Sequence, residues 1–162
     1  AEELAKTHDG GVIWANQFDN IANMHGHFET TGPEIWRQTD GKIDGFICAV
    51  GSGSTLAGVG RYLKEQNPSV KIGLADPEGS ALHHYYQQGE LQSSGNSISE
   101  GIGQGRITKN LAEAPVDMSF CLTDQDALPL IYDLMQHEGL YLGGSTAINV
   151  AGALAMAKEL GP

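Results

Sequence analysis

The sequence predicts an α/β domain built on a mostly parallel sheet with helices on both faces. Three observations carry this. Residues 46–50 form a short, nearly continuous apolar run, as a strand buried on both faces of a parallel sheet requires. Gly51-Ser52-Gly53-Ser54-Thr55 then turns the chain into a helical stretch with Leu56, Val59 and Leu63 on one side. A second apolar run follows at 71–75 and ends at Asp76-Pro77. Together they make a strand–helix–strand unit, whose crossover is expected to be right-handed.

The other elements follow in chain order. Residues 1–8 read as the end of a helix stopped by Asp9-Gly10-Gly11. Residues 12–15 are a strand candidate. Residues 16–27 are polar and irregular, with Gln17, Asn20, Asn23, His25 and His27 close together. Thr31 and Glu34 have capping-box spacing, and Pro33 is tolerated in a first turn, so a helix is expected to start there and end near Thr39. Asn67-Pro68 stops the helix after Lys64. Residues 81–88 read as a short helix. Residues 89–114 are polar and glycine-rich, a loop of the length that usually carries function or moves. Residues 118–122 are a third strand. Thr123-Asp124-Gln125-Asp126 caps a helix to about His137, with Ala127, Leu130, Ile131 and Leu134 on its buried face. Glu138-Gly139 ends it. Residues 140–142 lead into Gly143-Gly144-Ser145-Thr146 and a small-residue helix over 147–160, which permits close packing against a neighbour or a ligand. A helix-to-strand turn is expected at Gly161-Pro162.

Composition narrows the function. The 162 residues suit one domain, and at that length roughly 70% of the unfolded surface can be buried. The net charge of −11 disfavours nucleic acid and anionic membrane surfaces, so any anion site must be local, built from N–H groups and hydroxyls. There is no apolar run near 18 residues and no signal peptide, so no membrane association is expected. Cys48 and Cys121 both sit in apolar runs and read as buried free thiols of a cytoplasmic protein.

The glycine turn is the main candidate site. A helix start presents unpaired N–H groups and a partial positive charge, and Ser52, Ser54 and Thr55 add hydroxyl donors, so phosphate binding is implied. The local alternative is a sharp corner with no ligand. The lysine of a nucleoside-triphosphate loop is missing, as is the third glycine of a dinucleotide fingerprint. A small phosphorylated cofactor fits better. Ser145, at a second helix start, is either a ligand contact or an ordinary N-cap. The six histidines form no zinc pattern; His83 and His84 are adjacent and belong at a rim, while His25 and His27 either line a site or are merely solvated. Glu100 beside Gly101 is a weak candidate base. No Gly-x-Ser-x-Gly elbow is present.

Four segments occur in one order: Gln17-Phe18-Asp19-Asn20, Thr30-Thr31-Gly32-Pro33-Glu34-Ile35-Trp36, Gly51-Ser52-Gly53-Ser54-Thr55-Leu56-Ala57-Gly58-Val59 and Glu138-Gly139-Leu140-Tyr141-Leu142-Gly143-Gly144-Ser145. The set resembles the cysteine synthases, the O-acetylserine sulfhydrylases among the fold-type II pyridoxal-phosphate enzymes, over essentially the whole chain. The resemblance implies that Gly51, Ser52, Gly53, Ser54 and Thr55 hold the cofactor phosphate, where the family has Gly-Thr-Gly-Gly-Thr. It implies that Ser145 faces the pyridine nitrogen, that Gln17 helps bind the substrate carboxylate, and that Gly101, Ile102 and Gly103 form an edge of the active site. Ser52 and Ser54 replace threonine and glycine. Ile21 stands where proline is usual, and Arg106 where an aromatic is frequent.

The family's Schiff-base lysine lies well upstream of these motifs, and Lys6, Lys42, Lys64, Lys71, Lys109 and Lys158 match no such motif. The resemblance therefore implies no catalytic residue in this chain and a cofactor domain cut at both ends. Residues 1–15 would be the end of a smaller N-terminal domain and its crossover; residues 16–162 would be part of the large domain. It implies that the whole enzyme eliminates acetate from O-acetylserine and adds sulfide to make L-cysteine. The partners implied are small-molecule substrates, a second copy in a homodimer, and serine acetyltransferase. The alternatives are a cystathionine β-synthase-like enzyme, or a non-catalytic module that holds a phosphate ligand or partner if the chain truly starts at Ala1.

Overall fold

The computed structural model describes residues 1–8 and 10–161. Asp9 and Pro162, expected in turns, lie outside the described residues. The chain runs α1 (Glu2–Thr7), α2 (Ala22–Gly26), a π turn (His27–Thr31), α3 (Gly32–Gln38), β1 (Gly45–Ala49), α4 (Ser54–Gln66), β2 (Lys71–Pro77), α5 (Leu82–Gln88), β3 (Met118–Leu122), α6 (Asp124–Glu138) and α7 (Gly144–Leu160). The three strands are parallel, in the order β1-β2-β3. Ala49 aligns with Ala75, and Pro77 aligns with Leu122.

Alternation along β2 divides the core. Ile72 and Leu74 pack with Leu56, Val59 and Leu63 of α4, Leu82 of α5 and Leu111 of the long loop. Ala75 faces the other way and packs with Leu122, Ala127, Ile148 and Ala151. Thus α4 and α5 cover one face and α7 the other, as expected of a parallel sheet. The small residues of α7 serve that packing: a Cβ on Gly152 would lie 2.8 Å from Ala75 Cβ.

Several expectations are corrected. Residues 12–15 form no strand; Ile13 is 95% exposed, and among the described residues no neighbouring strand pairs with them. Half of residues 16–27 is helical rather than irregular, because α2 opens there. The helix expected at 31–39 is present as α3, with Pro33 in its first turn, but Thr31 does not cap it: it is the last residue of the π turn, in helical backbone, with no side-chain cap. Pro33 explains the widened turn before it: in a regular helix its ring would crowd the Glu29 carbonyl. Thr30 Oγ1 instead donates to Gly26 O at 2.6 Å. β1 is half-buried along its length, since it is an outer strand of the described sheet, whereas β2 is buried from Ile72 onward. Cys121 is exposed, on the other outer strand; Cys48 is half-buried, and burial pushes its thiol up to about 12.

Candidate functional site

The glycine turn follows β1 directly. Gly53 is the N-cap of α4 and is left-handed, with φ +85°, and a Cβ there would lie 2.6 Å from Leu111 Cβ. Only glycine meets both conditions. Among the described residues the N–H groups of Ser52, Gly53 and Thr55 have no acceptor. Ser54 N–H donates to Ser52 Oγ at 3.3 Å, and Asn23 Nδ2 reaches the same oxygen at 3.5 Å. Two lone pairs are thereby used, so the Ser52 hydroxyl donates to Ser54 Oγ at 2.8 Å, and the Ser54 proton is left for a ligand. Thr55 Oγ1 lies 3.2 Å from His27 Nε2, whose Nδ1 lies 2.9 Å from Thr31 Oγ1. With the proton on Nε2, Thr55 accepts from His27 and its own proton is free to donate. Thr108 Oγ1 donates to Ser52 O and accepts from Leu111 N–H, which pins the turn from below. Unpaired N–H groups, spare hydroxyl protons and the dipole of a thirteen-residue helix fit a phosphate.

The long loop brings Gly101, Ile102 and Gly103 against this turn. Gly103 N–H donates to Val50 O at 2.8 Å, and a Cβ on Gly51 would lie 2.8 Å from Gly101 O. Ile102 packs with the Ala75 cluster. Gln104 and Ser80 close the next step: Gln104 N–H donates to Ser80 Oγ at 2.9 Å, and Ser80 Oγ to Gln104 O at 3.0 Å. Asp76, at the end of β2, is buried, which raises its carboxyl pKa even though one oxygen accepts His83 N–H at 2.7 Å.

Gln17 sits on the same side with its side chain exposed. Its carbonyl accepts from Asn23 Nδ2 at 2.8 Å and Asn110 Nδ2 at 2.9 Å. Asn23 thus spans from the Gln17 turn to Ser52. Asn16, just before, has a positive φ of 48°. Asp19 accepts both guanidinium N–H groups of Arg106, each at 3.0 Å.

Ser145 is not the N-cap of α7; Gly143 is, so the cap alternative fails. Ser145 is exposed in the first turn and lines a cavity of about 350 Å³ with Ser99, Glu100, Ala127 and Leu128. Asn149 ties it to the glycine turn: Asn149 Oδ1 accepts Ala49 N–H and Asn149 Nδ2 donates to Ser145 O, both at 2.8 Å. The glycine turn, the 101–103 loop and the start of α7 therefore lie toward the C-terminal ends of the strands, where α/β sheets bind ligands, while Gln17 lines a separate cavity with Phe18, Asp19 and Arg106. Sequence reasoning missed Asn149, Thr108 and Asn110. Asn149 left a signal, as the one polar residue in an otherwise apolar stretch from 147 to 157. Among the described residues no three groups are placed to hold a metal, and no helix is long and apolar enough to cross a membrane.

Comparison with known proteins bears on this geometry. Cysteine synthase 1 of Neurospora crassa is 53% identical over 155 residues, covering 93% of this chain and 41% of that protein. Cysteine synthase 1 of Emericella nidulans is 52% identical over 155 residues, covering 93% and 42%. Cysteine synthase A of Escherichia coli is 37% identical over 161 residues, covering 98% and 50%. The chain thus spans about two-fifths to half the length of these curated relatives. The family model described as pyridoxal-phosphate dependent enzyme matches residues 1–162. With a family match along its whole length, and an unpaired glycine turn at the head of α4 that fits a phosphate, the chain belongs to the pyridoxal-phosphate dependent enzyme family.

Proposed function

We propose that the full-length protein is a cysteine synthase, which eliminates acetate from O-acetylserine and joins sulfide to the same carbon. The observation that carries this is the gathering of the glycine turn, the 101–103 loop and Ser145 at one end of the sheet, in a chain whose relatives are named cysteine synthases. When bound, pyridoxal phosphate supplies the electron sink for the substrate's α-carbon. Gly51, Ser52, Gly53, Ser54 and Thr55 hold its phosphate. Ser145 donates a hydrogen bond to its ring nitrogen. A neutral hydroxyl leaves that nitrogen unprotonated, a modest sink that suits elimination better than long-lived carbanion chemistry. Gln17, with Gly101, Ile102 and Gly103, receives the substrate's carboxylate side.

We propose the corresponding domain layout, compartment and partners for the whole enzyme. Residues 1–15 end a smaller domain and cross over; residues 16–162 belong to the large cofactor domain. The whole enzyme is a cytoplasmic homodimer that engages serine acetyltransferase. The test is purification of the full-length holoenzyme and assay of L-cysteine formation from O-acetylserine and sulfide. Cysteine formed from that pair is the expected result. Turnover of serine with homocysteine, and none with O-acetylserine, would overturn it.

A further inference from the structure

The loop that carries Gly101 to Gly103 is fixed at two places. Gly103 and Gln104 are bonded to Val50 and Ser80, and Thr108 and Asn110 to Ser52 and the Gln17 turn. Arg106 lies between these anchors, and although its side chain is exposed, its guanidinium is turned onto a carboxylate. Its two terminal nitrogens make parallel bonds to Asp19 Oδ1 and Oδ2, each 3.0 Å, and its guanidinium carbon stands 6.0 Å from the centre of the Phe18 ring. Asp19 Oδ1 also accepts Lys109 N–H at 3.0 Å, and Asn110 Nδ2 donates to Phe18 O at 2.8 Å. Two residues of the turn are therefore gripped by three residues of the loop.

We infer that the Arg106–Asp19 pair is a positioning latch, which holds the turn bearing Gln17 against the 101–110 loop and so sets affinity for the amino-acid substrate. The inference rests on the role proposed for Gln17. Three features support it. An exposed ion pair by itself contributes little, but a two-pronged arginine–carboxylate pair fixes direction as well as distance. The backbone around Gln17 benefits from holding, because Asn16 before it takes a positive φ of 48°, which asparagine enters more readily than other side chains but which few non-glycine residues adopt. The pair also engages both carboxylate oxygens and one N–H of each terminal nitrogen, so the direction of the guanidinium is set by Asp19. The Arg106 hydrogen bond, then the Lys109 N–H, hold the Asp19 carboxyl below the usual range, so the pair stays ionised at neutral pH.

The test uses the full-length holoenzyme. Asp19 and Asn20 N–H groups both donate to Asn16 O, at 3.0 and 2.8 Å, so their hydrogen exchange reports on the turn without any substrate. Arg106→Met is expected to speed exchange at these two amides. It is also expected to raise KM for the amino-acid substrate about threefold to tenfold, with kcat and the cofactor's absorption little changed. Arg106→Lys, which keeps the charge but not the two parallel bonds, is expected to fall between. Adding Asp19→Asn to Arg106→Met should cost little more, because the amide oxygen can still accept Lys109 N–H and the arginine partner is already gone. Unchanged exchange overturns the latch. So does an unchanged KM in Arg106→Met when Gln17→Ala raises it. Faster exchange in Arg106→Met, together with a Gln17→Ala variant of normal KM, upholds the latch as a hold on the turn and overturns instead the substrate role given to Gln17.

Discussion

At Gly53 the backbone is left-handed and Leu111 fills the space a side chain would need. Gly53→Asp in the full-length enzyme would add strain, a clash and a negative charge where the phosphate is proposed to sit, and cofactor binding is expected to be lost. Thr55→Ala removes one hydrogen bond to a charged group, about 1.5–3 kcal/mol, or roughly tenfold to a hundredfold in affinity. Cofactor titration of the two variants checks the ranking. Ser145 tests chemistry against packing. Since Gly143 is the cap of α7, Ser145→Ala is expected to leave the melting temperature nearly unchanged while the elimination rate falls several-fold. Melting and turnover measured on the same variant decide this. A normal rate would remove Ser145 from the chemistry. The glycine turn was legible as strand, turn and helix start because turn, hydroxyl and glycine chemistry is local; Gln17 and residues 101–103 were picked out only by the family resemblance. Asn110 was not legible: it joins Gln17 across 93 positions, and no short-range pattern announces such a bond.

Elements show where local signals hold and where neighbours override them. The cap of α6 holds. Thr123 Oγ1 accepts Asp126 N–H at 3.2 Å, and the Asp126 carboxylate takes the Thr123 hydroxyl at 2.6 Å and its N–H at 3.0 Å. Thr123→Ala is expected to lower stability by about 0.5–2 kcal/mol. Those same bonds from the Thr123 hydroxyl and N–H hold the Asp126 carboxyl below its ordinary value. Its contribution is therefore full above the unfolded aspartate pKa, about 3.9, and is lost as pH falls through the lower folded value. Thermal melts of wild type and Thr123→Ala across acid pH should show the gap narrowing in that window. Thr31 had the same cap spacing and caps nothing, because the chain already arrives as helix from α2. That approach is close. A Cβ on Gly58 of α4 would lie 2.7 Å from His27 Cβ and 2.8 Å from Phe28 N. Gly58→Ala is expected to destabilise by about 1–3 kcal/mol, checked by denaturant unfolding.

For the molecule as a whole, the alternation of apolar runs and helical stretches was enough to foretell parallel strands with helices on both faces. It was not enough to foretell which strand is central. Residues 46–50 are as apolar as β2, yet burial depends on what lies on either side, and that is set by packing between distant segments. The lysines bear on function at this scale. Lys6 pairs with Glu2 and Lys64 with Asp117, each at 2.8 Å, while Lys42 and Lys71 line a groove by the start of β1 and the end of α7. None of the six lines the cavity beside Ser145. The 162-residue segment alone, mixed with pyridoxal phosphate, reduced with borohydride and mapped by peptide, is expected to show no stoichiometric label on one lysine and no turnover. A single labelled lysine with turnover would refute this.

The bond between Ser52 and Ser54 makes the two positions epistatic. While Ser54 is present, its hydroxyl proton is the spare one, and losing the Ser52 hydroxyl leaves a donor in the turn. In a background with glycine at 54, the hydroxyl at 52 is released to face the ligand and becomes the only donor of the pair. The same Ser52→Ala change is then mild in one ancestry and severe in another. A lineage moving from this turn to Gly-Thr-Gly-Gly-Thr hands the task of donation from one position to the other, so the order in which the two mutations arise decides which intermediates keep their cofactor.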